Sequence, residues 1–311
     1  MNRRDFVVRS TVLTAAGLLA RPAVFAQAAK GPKGAPAPAT PEFKLLRREV
    51  GIFTARGGSI GYLVNKDAIA AVDTQFADTA PLFLNGLPGR AGRKLDVLVN
   101  SHHHGDHTGG NQVFQPQTKK IVAHANVPAL QRAAAERAKS LDKQAYADTT
   151  FQTTWRMDLG GETVSAKYHG AAHTSGDIVT HFEKANVIHM GDLGFNRIYP
   201  VIDRGSGGRI AGWITVLEAV AKAFSADTIV IFGHAGTKFP AVGKPAELLV
   251  LRDYLSAVLD YTKKKIAAGE PKEKIVALEN LPGFPDFHTP LPNRLGGNLA
   301  TAYDELTEKK V

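Results

Sequence analysis

The densest group of chemically versatile side chains lies between His102 and His107, where four histidines and one aspartate fall within six consecutive positions. Neutral imidazole nitrogens and carboxylate oxygens are ligands that Zn²⁺ and similar divalent cations accept. Because residues two apart on an extended segment point to the same side, His102 and His104 can reach one ion while His103 points away. Asp106 and His107, at the turn into the next helix, are placed to reach a second ion. The segment therefore predicts half of a two-metal site.

Three further candidate ligands follow predicted strands in the second half of the chain. His173 lies in a loop between strands predicted at residues 163–168 and 178–182. Asp192 closes an apolar strand and precedes a turn, and His234 follows a Val/Ile-rich strand and is flanked by glycine. A lone histidine at a strand end is more often a structural residue, so the argument for these three depends on their occurring together with the first group.

The elements around these residues alternate between strands and helices. Strands are predicted at residues 59–64, 68–73 and 95–99, with a helix at about 77–87 between the last two. Helical periodicity at residues 212–224 and 245–267 predicts helices that cover the outer faces of the sheets. This alternation predicts an α/β protein in which sheets are layered against helices.

The segment at residues 127–143 is rich in Ala, Arg and Glu and has helical periodicity. Together with the chain up to Trp155, it is interpreted either as a lid over the site or as an ordinary surface helix. The tail at residues 282–288 contains too much proline and glycine for regular structure.

Composition limits the chemistry and the partners. The 311 residues are 44% hydrophobic and include no cysteine, so disulfides and thiolate ligands are excluded. The net charge is +9, of which +3 belongs to the leader described below. That excess suits anionic substrates or a negatively charged envelope surface, but no cluster of basic and aromatic residues predicts binding to nucleic acid.

The amino terminus predicts export. Arg3 and Arg4 precede a short apolar segment at residues 11–20, and small residues suited to signal peptidase follow at Ala26 or Ala28. The apolar segment is about half the ~20 residues that span a bilayer, so no stable membrane span is expected after cleavage. We interpret residues 1–28 as a twin-arginine-type signal that directs the protein to the periplasm or otherwise out of the cytoplasm. Residues 29–41 are interpreted as a flexible Ala/Pro/Gly linker, and residues 42–311 as one domain.

Taken in order, these motifs resemble those of the metallo-β-lactamase superfamily. The family pattern is matched by His102-x-His104-x-Asp106-His107, and later by His173 within His-Thr-x-Gly-Asp. Asp192 follows a glycine, and His234 lies within Gly-His-x-Gly. The resemblance implies a four-layer αββα sandwich with two Zn²⁺ ions at one edge of the two sheets. It also implies roles for eight residues: His102, His104 and His173 at the first ion, Asp106, His107 and His234 at the second, Asp192 bridging both, and Asp73 ordering the histidine loop.

The implied activity is hydrolysis by a hydroxide that bridges the two metals, with Asp106 orienting the nucleophile and accepting its proton. The expected substrate is a small molecule with an amide, ester, lactone or thioester bond, and β-lactams are the leading named class. The true β-lactamases that carry a cysteine have a thiolate where this chain has Asp192, which counts against an enzyme of that kind. Arg197 is a candidate contact for a substrate carboxylate, although a surface arginine is an equally good interpretation.

Other interpretations of the same motifs remain open. An iron-dependent oxidoreductase that resembles persulfide dioxygenases would use two histidines and one aspartate, and makes iron the alternative metal. A thioesterase like glyoxalase II shares the bridging aspartate, but its basic glutathione-binding pattern is not evident at residues 244–265. A vestigial metal site in an interaction protein is a third, non-enzymatic interpretation. The oligomeric state is left open.

Overall fold

The computed structural model describes residues 40–289 and 292–308. The predicted export signal at residues 1–28 lies outside the described residues, as does the predicted linker up to residue 39. Within the described part of the chain, no helix is long and apolar enough to cross a membrane.

The first sheet has seven strands that are neighbours in the same order as along the chain. The first four run antiparallel, and the last four, from the fourth onwards, run parallel to one another. Parallel neighbours need crossover connections, and helices supply them here. The strands are β1 (Glu42–Arg47), β2 (Val50–Thr54), β3 (Ile60–Val64), β4 (Ile69–Val72), β5 (Val97–Asn100), β6 (Ile121–His124) and β7 (Thr149–Phe151).

The second sheet has six strands and is accompanied by a two-stranded ribbon. The strands in chain order are β8 (Thr154–Leu159), β9 (Glu162–Tyr168), β10 (Ile178–Phe182), β11 (Val187–His189), β12 (Phe195–Asn196), β13 (Ile229–Ile231), β14 (His234–Ala235) and β15 (Val242–Gly243). The sheet order is β15-β13-β11-β10-β9-β8, and β12 pairs with β14 to form the ribbon. Strands β11 and β13 are parallel, and β10 runs antiparallel to both β9 and β11.

Within residues 40–289 and 292–308, eight α-helices connect and cover the sheets. They are α1 (Ala80–Gly86), α2 (Gly105–Thr108), α3 (Asn111–Phe114), α4 (Val127–Arg137), α5 (Ile210–Ala223), α6 (Pro245–Ala267), α7 (Lys272–Val276) and α8 (Arg294–Thr307).

The helix predicted at residues 127–143 is shorter in the structure, because α4 ends at Arg137. The backbone of Lys139 has φ +52, a left-handed conformation that a helix cannot continue through. The amide of Ser140 then returns to the carbonyl of Ala135, and residues 141–143 form a separate 3-10 turn. The helix therefore ends at Arg137, although residues with high helix propensity continue after it, and only the backbone conformation shows where it ends.

Three apolar clusters separate four layers. Alternation along the strands divides the side chains of each sheet between two faces, so that in β4 Val72 lies between the sheets and Ala71 faces the helices. One cluster joins the first sheet to α1 and α3 through Phe83 and Phe114. The second lies between the two sheets, and the third joins the second sheet to α5, α6 and α8 around Trp213. The predicted αββα sandwich is confirmed.

The proline-rich tail packs against the last helical layer. Phe287 stacks on Tyr254 of α6, with ring centroids 4.5 Å apart, and Phe284 contacts the same tyrosine edge-on. A single bridge joins His288 to Ile198, just after β12. The tail therefore completes the outer core without forming a helix or a strand of its own.

The candidate ligands follow the carboxyl ends of strands. The histidine loop follows β5, the loop with His173 follows β9, and Asp192 and His234 follow the parallel pair β11 and β13. Backbone hydrogen bonds join the two sheets at this edge, from the Ser59 amide before β3 to the Gly233 carbonyl (2.9 Å) and from the Ile178 amide in β10 to the Ser101 carbonyl (3.0 Å). Loops from both sheets are thus held together at one edge of the sandwich.

Candidate metal centre

The first group of candidate ligands contains three histidines from two loops. His102 and His104 come from the loop after β5, and His173 comes from the loop after β9. The Nδ1 atom of His104 lies 3.0 Å from Nε2 of His173. One ligand atom each from these histidines and Asp192 lies within 4.8 Å of all the others. These are distances at which four ligands can share one ion.

The second group contains Asp106, His107 and His234, whose ligand atoms also lie within 4.8 Å of one another. Nε2 of His107 is 3.3 Å from Nε2 of His234, and the latter is 3.1 Å from Oδ2 of Asp106. Asp106 and His107 reach this position because α2 begins at Gly105 and turns the chain directly after His104.

Asp192 lies between the two groups and presents one oxygen to each. Its Oδ1 atom is 3.0 Å from Nε2 of His107 and 3.4 Å from Nε2 of His234. Its Oδ2 atom is 3.5 Å from Nε2 of His173 and 3.8 Å from Nε2 of His102. The structure thus brings all seven predicted ligands together, and the aspartate is placed to contact both positions.

The donor atoms suit a pair of divalent cations. Nε2 of His102 and Oδ1 of Asp192 are buried, and neither has a hydrogen bond of acceptable geometry. Buried polar atoms are nearly always paired, so one unpartnered atom facing each of the two groups indicates a ligand-binding position in each. Five imidazole nitrogens and two carboxylates, with no sulfur, form a donor set that Zn²⁺ accepts and that iron accepts as well.

Asp73 supports the histidine loop from behind. It is fully buried directly after β4, with a backbone φ of +70, which is strained for a residue that is not glycine. Its carboxylate accepts hydrogen bonds from the Ser101 amide (2.7 Å), the Ser101 hydroxyl (2.6 Å) and Nδ1 of His107 (2.7 Å). The bond from Nδ1 leaves Nε2 of His107 free to face the second group.

Burial favours the neutral histidine that a metal requires in the first group. Desolvation, reinforced by neighbouring histidines, holds the pKa of His102 well below its usual value and lowers the pKa of His173 to about 4. Nδ1 of His173 donates to the carbonyl of Val201 at 2.8 Å, which leaves Nε2 as the free ligand atom. Both side chains are therefore prepared to bind a cation without first losing a proton.

The second group has the opposite electrostatics. Burial pushes the pKa of His107 down, but the carboxylates of Asp192, Asp73 and Asp106 raise it well above its usual value. The pKa of His234 is also raised, because Asp192 and Asp106 outweigh its burial. Protons on these histidines balance the buried carboxylates where no cation does so, and a metal would have to displace them.

Asp106 remains ionised under ordinary conditions. Burial favours its neutral form, but His107 and His234 outweigh that effect and lower its pKa to about 2. Its side chain is 29% exposed, close to the values for His234 (22%) and His104 (21%), whereas the side chains of His102, His107 and His173 are fully buried. The three partly exposed ligands mark the side from which a substrate can approach.

No hydrogen bond or ion pair joins Arg197 to a candidate ligand among the described residues. Its guanidinium donates to Asn196 at 2.7 Å, lies over the ring of Phe239 and is 3.7 Å from Glu247. A substrate carboxylate would have to compete with these contacts. They favour a structural role for Arg197, next to β12, over a role in binding substrate.

The two histidines predicted to be structural have partners of their own. His103 belongs to neither ligand group, although its ring lies beside that of His104, and its Nε2 is 3.2 Å from the hydroxyl of Ser206. His189 lies between the sheets, with Nε2 at 3.0 Å from the carbonyl of Ser59, and its Nδ1 accepts the amide of Gly191. In the segment interpreted as a lid or a surface helix, Asn126 directly precedes α4. Its side-chain amide donates to the carbonyl of Ser175, two residues after His173.

Asp203 is a residue of the site that the sequence analysis missed. Its Oδ2 atom lies 3.0 Å from Nε2 of His104 and 3.7 Å from Nε2 of His103. The only local signal is an aspartate before the glycine-rich run at residues 204–208, which is typical of an ordinary turn. The contact joins residues 99 positions apart, so no spacing rule could have found it.

Comparison with known proteins places the chain in a family. The model of the metallo-β-lactamase superfamily matches residues 54–234, which is more than half of the chain and includes every candidate ligand. A curated relative, the metallo-β-lactamase type 2 of Elizabethkingia meningoseptica, is 21% identical over 217 residues, covering 67% of this chain and 77% of the relative.

Two solved structures illustrate the likeness of the fold. The metallo-β-lactamase from Pontibacter korlensis superposes with a TM-score of 0.57 at 18% identity, covering 70% of this chain and 99% of the other. A double mutant of the sec-alkyl sulfatase PisA1 superposes with a TM-score of 0.66 at 14% identity, covering 87% of this chain and 51% of the other. At these identities the likeness concerns the fold alone. Together with the family model, the fold and the arrangement of the histidines and aspartates show that the chain belongs to the metallo-β-lactamase superfamily.

Proposed function

We propose that the protein is an exported zinc-dependent hydrolase that cleaves an amide, ester, lactone or thioester bond. The observation that carries this proposal is the position of Asp192, which presents one carboxylate oxygen to each of two groups of ligands. Two adjacent cations are a recurrent arrangement for hydrolysis. Export rests on the leader, where Arg3 and Arg4 precede the apolar segment.

Different residues of the chain would bind the metals, accept the proton and exclude water in such a reaction. His102, His104 and His173 would hold the first ion, and Asp106, His107 and His234 the second, with Asp192 shared. When bound, two Zn²⁺ ions lower the pKa of water and polarise the bond under attack. The ionised carboxylate of Asp106, at the open side of the site, accepts the proton of the attacking water and orients it. Burial of His102, His107, His173 and Asp192 excludes bulk water behind the reacting centre.

The substrate is a small molecule, and β-lactams are the first class to test. The curated relative and one of the structural neighbours are named metallo-β-lactamases. The absence of cysteine separates this chain from β-lactamases that use a thiolate, so lactones and thioesters belong in the same test.

Zinc-loaded protein should hydrolyse at least one member of a panel consisting of a β-lactam, a lactone, a thioester and a phosphodiester. A chelator should abolish that activity and added zinc should restore it, because the nucleophile depends on the metal. His102→Ala should lose metal and activity. The matched control His181→Ala should keep both, because that histidine packs against Phe224 away from the centre.

Metal analysis of protein from its native compartment separates hydrolysis from the oxidative alternative. About two zinc ions per chain would support the hydrolase. One iron per chain with oxygen uptake would reject it in favour of an oxidoreductase, and full activity in metal-free protein would reject both.

A further inference from the structure

Residues 201–208, which follow β12, touch both loops of the first ligand group. The carbonyl of Val201 accepts the hydrogen bond from Nδ1 of His173 at 2.8 Å. Two residues later, the Asp203 amide donates to the carbonyl of His173 at 3.1 Å, and the Asp203 carboxylate lies 3.0 Å from Nε2 of His104. We call this stretch the 201–208 segment. It bonds to ligands from the loop after β5 and from the loop after β9.

The Asp203 carboxylate is held in place independently of His104. Its Oδ1 atom accepts the amide of Ser206 at 3.1 Å, and the Asp203 carbonyl accepts the amides of Ser206 (3.1 Å) and Gly208 (2.8 Å). Gly207 has φ +85, a conformation that closes this turn. One oxygen is therefore used to build the turn, which leaves Oδ2 directed at the histidine.

The 201–208 segment is also tied to the carboxyl-terminal helix. Arg204 lies 3.3 Å from Glu308, which follows α8. Glu305 of α8 accepts the amides of Ile210 (2.8 Å) and Ala211 (3.0 Å) at the start of α5, immediately after the segment. These contacts hold the chain directly after Asp203 against α8, so its carboxylate is a preorganised partner for His104.

The bond to Asp203 decides which nitrogen of His104 faces the centre. An acceptor at Nε2 places the ring proton on that atom and leaves the lone pair on Nδ1, the atom that lies 3.0 Å from Nε2 of His173. Without the acceptor the proton could occupy Nδ1 and block that ligand position. Histidine ligands that donate their other nitrogen to a carboxylate bind metal more tightly for this reason.

We propose that Asp203 is a positioning residue that sets the metal affinity of the first position and not of the second. It lies in contact with His104 and His173, and no contact joins it to Asp106, His107 or His234 among the described residues. The second position has its own supporting carboxylate, because Asp73 accepts the bond from His107. Each position therefore has a separate aspartate, one buried and one partly open to solvent. This inference rests on the metal centre of the proposed function but not on the reaction that the centre performs.

The test is a chelator competition that measures the two dissociation constants for Zn²⁺ in the full-length protein and its variants. Asp203→Ala should weaken one of the two constants by about 10–100-fold and leave the other within about threefold. Asp203→Asn should lose much less zinc affinity, because its side-chain amide oxygen can still accept the hydrogen bond from Nε2 of His104. Asp227→Ala is the matched control, since that aspartate pairs with Arg47 on the surface.

A spectroscopic measurement reports the tautomer directly. In long-range ¹⁵N–¹H spectra of the zinc-loaded protein, His104 should carry its proton on Nε2 in the wild type and in Asp203→Asn. Its signals should shift or broaden in Asp203→Ala. Where Asp203→Ala fails to fold, Asp203→Asn decides the question, because its weaker, neutral acceptor should measurably weaken one of the two constants and leave the other unchanged, and two unchanged constants would reject the inference.

Several results would overturn the inference. Equal weakening of both constants, or of neither, would show that Asp203 does not act on one position. An Asp203→Asn variant as weak as Asp203→Ala would show that charge, and not the accepted hydrogen bond, is what matters. A wild type that binds no metal would defeat the centre itself, whereas asymmetric binding without any hydrolysis would support Asp203 and reject the proposed reaction.

Discussion

Among the individual residues, the partner of the second ring nitrogen fixes the orientation and the protonated nitrogen of a candidate ligand histidine. Ser101 holds His102, at 3.0 Å from its Nδ1, and Asp73 accepts the bond from Nδ1 of His107. A ring fixed in this way presents one lone pair in one direction, which lowers the entropic cost of binding a metal. The identity of a ligand therefore depends on two residues, the histidine and the group behind it.

Asp177 provides a prediction about pH. It is fully buried, accepts bonds from the amide and hydroxyl of Thr174, and has its pKa raised by burial from 3.8 to about 6. A carboxyl with a raised pKa in the folded state contributes stability below pH ~4, and that stability is lost as the pH rises through ~6. As the pH rises from 4 to 7, the free energy of unfolding of Asp177→Asn should therefore increase by up to about 3 kcal/mol relative to that of the wild type.

Urea unfolding of metal-free wild type and Asp177→Asn at several pH values tests this, because other titrations cancel in the difference. The variant also changes the bonds to Thr174, so the quantity of interest is the change with pH and not the offset. A difference in unfolding free energy that stays constant from pH 4 to pH 7 would contradict the prediction.

At the scale of elements, the centre depends on how closely the connecting loops approach one another. Gly191 has φ +49, and a Cβ there would lie 2.4 Å from the hydroxyl of Ser101 in the histidine loop. A Cβ at Gly58, in the loop between β2 and β3, would lie 2.1 Å from the ring of His107. These glycines let backbone from both sheets reach the ligands directly.

Gly233 tests the importance of this close approach. A Cβ at this position would lie 2.3 Å from Oδ1 of Asp192 and 2.5 Å from the carbonyl of Gly191, and the second contact is backbone that cannot rotate away. Gly233→Ala should therefore destabilise the fold by about 1–3 kcal/mol and reduce zinc binding, because Asp192 must move.

The matched control is Gly297→Ala in α8, where a Cβ meets nothing within 4 Å. That variant should keep its zinc content. Its free energy of unfolding should increase by up to about 1 kcal/mol, because alanine has a higher helix propensity than glycine. Thermal unfolding and metal analysis of the two variants check both statements. Unchanged zinc binding in Gly233→Ala would show that the contact with Asp192 is dispensable.

Across the whole molecule, the two sheets contribute different parts of one centre. The first sheet supplies the histidine loop after β5, and the second supplies His173, Asp192 and His234 after three of its strands. Ions bound between them would connect the sheets through ligands from both. Metal binding should therefore stabilise the sandwich as a unit, since the unfolded chain has no preformed site.

Zinc should raise the thermal midpoint of unfolding by several degrees. One site filled at free zinc 100-fold above its dissociation constant stabilises the native state by about 2.7 kcal/mol. Calorimetry with and without zinc measures the shift, and Asp192→Ala should reduce it because that residue faces both groups. An equal midpoint in both conditions would show that no ion binds preferentially to the folded state.

The sequence by itself determined which residues are candidate ligands, and the structure brings them together. Seven candidate ligands could be predicted because ligand types at fixed spacing after apolar strands, together with a family resemblance, depend only on local order along the chain. The layered α/β fold followed from the same alternation of strands and helices. The limits of α4 could not be predicted, because the left-handed backbone at Lys139 leaves no mark in helix-forming composition.

Only the tertiary structure decided how the ligands are divided, supported and exposed. It placed one oxygen of Asp192 on each group, directed Arg197 to Glu247 and brought Asp203 to His104 across 99 positions of the chain. Contacts of this kind depend on where loops from two sheets meet, and that is set by the packing of whole layers. Local sequence carries the chemistry of each residue, whereas the distances that make it a centre arise from the fold.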